Sequence, residues 1–126
     1  MSFDWRLYIK LADELINLQR DKSLAESYWR SAISRAYYGV FCLSRNFLLS
    51  KRITIPRKNV HWFVIDRYKR SFDQNKKKIG IELDRLKKDR IDADYKDRIS
   101  INKNYALRSY GRSERILQLL QNIGAV

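Results

Sequence analysis

Five polar residues interrupt two otherwise apolar helical stripes: Arg35 and Tyr38 on the first, and Arg90, Asp94 and Tyr95 on the second. Arginine normally keeps its charge in water, so a guanidinium on an apolar stripe needs an explanation. Held at a seam between helices, it can stabilise the charge that develops on a phosphate during cleavage of a nucleic-acid backbone. The same groups can instead fix the register of packed helices through buried hydrogen bonds. The residues alone leave both interpretations open.

Apolar residues recur every three or four positions along most of the chain, which is the period of amphipathic helices. The most apolar segment, residues 27–48, is predicted to be the central helix, and Ser23 and Glu26 have the spacing of a capping box at its start. Ser2 is predicted to cap a first helix that ends near residues 19–21. Asn102 is predicted to cap the last helix.

One proline and four glycines in 126 residues leave few helix breakers. Together with the helical periodicity, this scarcity predicts an all-α fold, a single-domain up-and-down antiparallel bundle of four long helices plus one shorter helix. The fourth helix carries Arg90 on its inner stripe, which consists of Ile79, Leu83, Leu86, Arg90 and Ala93.

Positive charge is concentrated in the second half of the chain. The net charge is +13, of which residues 51–126 contribute +11 (20 basic and 9 acidic residues). A basic half attracts polyanions such as RNA, although an acidic protein partner or a solubilising surface would also account for it. The densest cluster predicts phosphate contacts by Arg67, Lys69, Arg70, Lys76, Lys77 and Lys78. No aromatic residue is interleaved through Lys76–Lys78, so stacking on bases is not expected there.

Several other chemistries find little support. His61 and Cys42 are the only imidazole and thiol, and they lie on different predicted helices, so we expect no metal site. His61 is expected to be a capping or surface residue near the start of the third helix, and no glycine-rich phosphate loop is present to hold a cofactor. The acidic start of the chain is unlike a secretion signal and no apolar run approaches ~20 residues, so we expect a cytoplasmic protein with no membrane segment.

Three sequence features, taken in order, resemble the HEPN domain (higher eukaryotes and prokaryotes nucleotide-binding). They are SAISRAYYGVF on the central helix, the segment from Asn59, and RIDADY near the end of the fourth helix. The resemblance extends from Trp5 to about Leu120. It implies a helical bundle that forms a homodimer. Many such proteins are endoribonucleases or toxins, encoded beside a small nucleotidyltransferase of the MNT type that serves as the antitoxin.

Active members of that family carry an arginine followed, after four to six residues, by a histidine. Arg90 matches the arginine, but the four residues after it lead to Tyr95, and Arg57 lies only four positions before His61. The resemblance therefore implies that Arg90, next to Asp94, contacts the scissile phosphate and that Arg35 supports the site. Tyr95 would then stand where the histidine usually is, able to donate a hydrogen bond or a proton.

Two functions follow as predictions. The first is an RNA-binding, toxin-like homodimer with metal-independent endoribonuclease activity. The second is a non-catalytic binding module that partners a nucleotidyltransferase or another protein, with Tyr95 as a candidate acceptor of a transferred nucleotide.

Overall fold

The computed structural model describes residues 2–126 and contains five α-helices and one short 3-10 turn, Lys22–Leu24. The helices are α1 (Arg6–Asn17), α2 (Ala25–Ser50), α3 (Val60–Lys69), α4 (Gln74–Tyr95) and α5 (Lys103–Asn122). No strand occurs in this part of the chain, which confirms the predicted all-α fold. Within residues 2–126, none of the helices has the length and apolar character that crossing a membrane requires.

The bundle is built around α2, which packs against each of the other four helices. Its 26 residues include eleven that are buried, more than in any other helix, and α4 and α5 supply much of the rest of the core. The predicted inner stripe of α4 is correct, because all five of its members are buried: Ile79, Leu83, Leu86, Arg90 and Ala93. The site arginine is therefore enclosed by the bundle.

The predicted start of α1 is wrong. The helix begins at Arg6, and the carboxylate of Asp4 accepts a hydrogen bond from the Arg6 backbone N–H at 3.1 Å, so Ser2 is not its cap. The helix ends at Asn17, earlier than expected. Asp4 supplies a carboxylate acceptor two residues before Arg6, so it takes the place predicted for Ser2.

The predicted capping box before α2 is also wrong. Asp21 accepts from the backbone N–H of Ser23 at 2.9 Å and starts the 3-10 turn. Glu26 is engaged elsewhere, by the Arg30 side chain at 2.8 Å and by the backbone N–H of Ile101 at 3.4 Å. By contrast, Asn102 caps α5 as predicted, because its side chain accepts from the backbone N–H of Tyr105 at 2.8 Å.

Two glycines allow helices to approach closely. A Cβ atom on Gly39 of α2 would lie 2.8 Å from Cγ1 of Ile9, so its absence lets α1 lie directly on α2. A Cβ atom on Gly80 of α4 would lie 2.5 Å from the backbone nitrogen of Lys69 at the end of α3. Gly80 therefore weakens helix propensity near the start of α4, but it permits the tight α3–α4 packing.

Arg30 of α2 fastens the C-terminal end of α4. Its Nη1 atom donates to the backbone carbonyls of Asp92 and Ala93 at 3.3 and 2.9 Å, and its Nη2 atom donates to that of Lys96 at 3.3 Å and of Ile99. A cation at this end supplies hydrogen-bond donors to the carbonyls around the last turn and interacts favourably with the helix dipole. The contacts fix the last turn of α4, where Asp94 and Tyr95 lie.

Candidate functional site

Arg90 lies on the buried side of α4 with few polar partners. Only 8% of the residue is exposed, and its Nε atom is buried without a hydrogen-bond partner among residues 2–126. The nearest carboxylate oxygen belongs to Asp94, 3.8 Å from Nη1, which is too long for a hydrogen bond. A buried charge without full pairing is costly, so an anion that reaches this guanidinium would be bound favourably.

Three tyrosine rings surround this guanidinium. Its Cζ atom lies 5.4 Å from the ring centres of Tyr37 and Tyr38, both on α2, and 5.9 Å from that of Tyr95. Cation–π contact at these distances stabilises the charge electrostatically, yet it leaves the N–H donors free. The ring environment therefore holds Arg90 in place and keeps its hydrogen-bonding capacity for an anion.

His61 of α3 shares two of these rings, which corrects its predicted surface or capping position. It stacks on Phe41 with ring centres 4.1 Å apart, and its ring centre lies 5.6 and 5.8 Å from those of Tyr37 and Tyr38. Its Nδ1 atom and the Tyr37 hydroxyl are 2.6 Å apart, joined by a hydrogen bond. The structure thus brings a histidine to Arg90 from a different helix.

The environment keeps His61 neutral. Burial, together with the nearby positive charges of Arg90 and Lys87, lowers the pKa of His61 to about 4. Burial also raises the pKa of Tyr37 well above its usual value, with Arg90 opposing the shift, so this phenol keeps its proton. At neutral pH the pair is therefore an uncharged imidazole and an uncharged phenol.

Asp94 and Tyr95 form the outer edge of the site, in the last turn of α4. Tyr95 is 70% exposed, and a carboxylate oxygen of Asp94 accepts a hydrogen bond from the Ser34 hydroxyl of α2 at 3.2 Å. These two residues flank the exposed edge of Arg90. The structure brings together Arg90, Asp94 and Tyr95 from the predicted set, and adds Tyr37, Tyr38 and His61.

Arg35 lies apart from this group. It is exposed, and its guanidinium lies 4.9 Å from the ring centre of Tyr8 on α1. The contact holds α1 against α2. The resemblance implies that Arg35 supports the site around Arg90, but in the structure its guanidinium contacts α1.

The spacing of His61 along α3 already indicated that this histidine faces inward. His61, Val64 and Tyr68 are spaced three and four residues apart, so they share one face of α3, and Val64 and Tyr68 are fully buried. The same spacing that identified Arg90 as an inward-facing polar residue applies to this histidine. Its pairing with Tyr37 of α2 is tertiary and cannot be read from local spacing.

The predicted basic cluster is divided among several surfaces. Arg67, Arg70 and Lys76 line one cavity of about 590 Å³, together with Lys51 from the end of α2. Lys69 instead forms an ion pair with Asp84 at 3.1 Å. Lys77 and Lys78 are exposed, and Lys78 lines a different cavity beside Arg85 and Arg115. Adjacent positions on a helix point in different directions, which is why a cluster in sequence separates in space.

The acidic segment before Tyr95 mainly ties α4 to α5. Asp89 accepts from the Ser109 hydroxyl at 2.9 Å, and Asp92 accepts from the Tyr105 hydroxyl at 2.9 Å. Burial raises the pKa of Asp89, although hydrogen bonds from Ser109 and Tyr105 and the charge of Arg112 oppose the shift. In residues 2–126, no group of three or more His, Cys, Asp or Glu side chains is arranged to hold a metal ion.

A comparison with protein-family models found one family, described as HEPN domain, whose model matches residues 8–123. The match covers nearly the whole chain, including the α2 helix, His61 and the α4 stripe with Arg90. Searches of curated proteins and of solved structures found no match.

Proposed function

Because the chain belongs to the HEPN family, we propose that it binds RNA and cleaves it without a metal ion, with Arg90 and His61 at the reaction centre. HEPN domains are generally RNases or nucleotide-binding modules, which supports this class of function. The observation that carries the proposal is the guanidinium of Arg90, buried between tyrosine rings with an unpaired Nε atom. A phosphate oxygen is the anion that best completes its hydrogen bonds.

In the proposed reaction, the RNA 2′-hydroxyl attacks the adjacent phosphorus. The bond from the 2′-oxygen to phosphorus forms, and the bond from phosphorus to the 5′-oxygen breaks. His61 accepts the proton of the 2′-hydroxyl through its Nε2 atom, with the Nδ1–H donated to the Tyr37 oxygen, and Tyr95 gives a proton to the departing 5′-oxygen. Transfer of the proton from His61 to Tyr95 through water then restores both residues.

Arg90 stabilises the negative charge that develops on the phosphoryl oxygens during this step. The neutral state of His61 suits the base role, because a protonated imidazole cannot accept a proton. In this proposal His61 takes the role that the family pattern gives to the missing histidine. We propose a homodimer in which the exposed edges of two such sites face each other, so that one RNA strand contacts both copies, and a toxin-like role in the cell.

The test is incubation of the purified protein with total cellular RNA in the presence of a chelator. Products ending in a 2′,3′-cyclic phosphate are expected from the unaltered chain and absent from Arg90→Ala and His61→Asn. Lys10→Ala, which changes an exposed residue of α1, is the matched control. Identical RNA profiles for all four proteins would exclude the catalytic role, and thermal unfolding of each variant separates lost chemistry from lost structure.

The exposed ring of Tyr95 favours a second candidate function. Tyr95 is 70% exposed, whereas the neighbouring Arg90 is 8% exposed, so the phenol is more accessible than the guanidinium. A nucleotidyltransferase partner of the MNT type would use its hydroxyl as acceptor: the phenol oxygen bonds to the α-phosphorus of ATP, pyrophosphate leaves, and the phenol proton goes to solvent. Intact mass after incubation with partner and ATP tests it, with Tyr95→Phe as the control that must stay unmodified.

A further inference from the structure

We propose that the cavity between the end of α2, the end of α3 and the start of α4 binds one nucleotide unit. Its phosphate lies between Lys51 and Lys76, and its base stacks on Phe72. This site is separate from Arg90, which lies near the other end of α4. The inference rests on the proposed RNA-binding function and specifies where one unit of the strand is held.

Positive side chains line the cavity and no carboxylate does. It has a volume of about 590 Å³, and its charged residues are Lys51, Arg67, Arg70 and Lys76. Arg70 is paired with Asp66 at 2.8 Å, whereas the other three take part in no ion pair found within residues 2–126. Three uncompensated cations around one concave surface create a local potential that attracts an anion.

Two of these cations converge on one aromatic ring. The ammonium nitrogen of Lys51 lies 5.4 Å from the ring centre of Phe47, and that of Lys76 lies 5.7 Å from the same centre. The lysines belong to different elements, so the fold, not local sequence, places both charges next to this ring and at the same cavity. A phosphate in the cavity would attract both nitrogens, because no carboxylate lines it.

Phe72 supplies the surface for a base. It lies in the turn between α3 and α4 and is 99% exposed, directly after Ser71, which lines the cavity. A phenyl ring wholly in water beside a basic cavity matches the way that single-stranded nucleic acids are bound, with the backbone on cations and a base on an aromatic ring. The expectation that base stacking is not indicated concerned Lys76–Lys78 and did not extend to this turn.

The walls of the cavity are fixed before any ligand binds. Tyr68 is buried, and its hydroxyl donates to the backbone carbonyl of Ser44 at 2.7 Å, which joins α3 to α2. Gly80 allows α4 to pack against the backbone of Lys69. A preformed site avoids the entropic cost of ordering its parts on binding.

The test measures binding of a single-stranded oligouridylate that carries a 5′-phosphate and a 3′-fluorophore. Lys51→Gln combined with Lys76→Gln should raise the Kd about tenfold and reduce the salt dependence, with the slope of log K against log salt falling by about 0.7 for the one phosphate that both lysines contact. Lys10→Gln combined with Lys88→Gln removes the same charge from exposed positions elsewhere, and should change the Kd less than twofold. Equal losses for both pairs would overturn the proposal.

Phe72 gives an independent readout. Phe72→Ala should raise the Kd about tenfold through lost stacking, Phe72→Tyr should restore it, and Leu7→Ala, at another exposed apolar position, should have no effect. An unchanged Kd for Phe72→Ala overturns the base contact. Competition by uridine 5′-monophosphate shows that a free nucleotide enters the cavity; competition only by a longer 5′-phosphorylated strand shows that the cavity serves RNA.

These outcomes separate the inference from the proposed cleavage. If the unaltered protein cleaves no RNA but the lysine and Phe72 variants lose binding, the cavity stands and the cleavage proposal fails. If cleavage depends on Arg90 while the cavity variants bind like the unaltered chain, the reverse holds.

Discussion

At one end of α4 a single guanidinium is buried among tyrosine rings, whereas at the other end several cations surround an open cavity. Arg90 is 8% exposed and has one carboxylate within 4 Å, while Lys51 and Lys76 reach into solvent from two elements. Buried charge acts strongly at short range, and exposed charge acts at longer range but is screened by salt. We therefore expect the first region to govern chemistry and the second to govern binding.

The largest expected effect separates these two roles in the kinetics. Arg90→Lys keeps the charge but loses the planar donor arrangement, so kcat for RNA cleavage should fall about a thousandfold with little change in KM. The Lys51→Gln and Lys76→Gln pair should raise KM about tenfold and leave kcat within about twofold. Steady-state cleavage of a fluorogenic RNA measures both. A drop in kcat from the cavity pair would show that the regions are not distinct.

The next effect concerns the α3–α4 packing that shapes the cavity. Gly80→Ala places a methyl group 2.5 Å from the backbone nitrogen of Lys69, so it should lower the free energy of unfolding by about 3 kcal/mol. Gly111→Ala is the matched control, since no atom lies within 4 Å of its added Cβ, and it should stabilise α5 by about 0.5 to 1 kcal/mol. Urea unfolding followed by circular dichroism measures the two values. Equal effects from the two changes would contradict the close approach at Gly80.

The smallest effect tests the buried region through pH. Unfolded His61 takes up a proton near pH 6.5, whereas burial in the folded protein lowers its pKa to about 4. Between these values the unfolded state binds more protons, so the free energy of unfolding falls as the pH falls. This loss amounts to about 2 kcal/mol between pH 7 and pH 5.

His61→Phe keeps a ring for Phe41 to stack on and removes the titrating group, so this part of the pH dependence should disappear. Denaturant unfolding at several pH values compares the variant with the unaltered chain. The same slope in both proteins would mean that His61 is not the group responsible.

Local spacing was enough to predict the features that depend on one helix. The α4 stripe and the Asn102 cap follow from residues three or four apart, and both are confirmed. The starts of α1 and α2 were missed because Asp4 and Asp21 are acceptors that compete with the serines beside them. A sequence pattern cannot decide which of these residues accepts the hydrogen bond, because Asp and Ser are both good N-caps.

The site itself needed contacts that no local pattern contains. His61 and Arg90 are 29 positions apart, and the packing of α2, α3 and α4 brings both to the rings of Tyr37 and Tyr38. Lys51 joins Arg67 and Lys76 for the same reason, while Lys69 turns away to Asp84. Composition predicted that the second half is basic, and packing decided which of its charges act together.

The fourth helix is held at both ends, by the Asp73 cap at its start and by Arg30 at its final carbonyls. The distance between positions near its two ends is therefore fixed. Lys76 and Arg90 are 14 residues apart along it, or about 21 Å at 1.5 Å per residue. A mononucleotide is too short to contact both positions, whereas a strand of several nucleotides can contact both. The length of this helix therefore sets a minimum size for any ligand that binds at both ends at once.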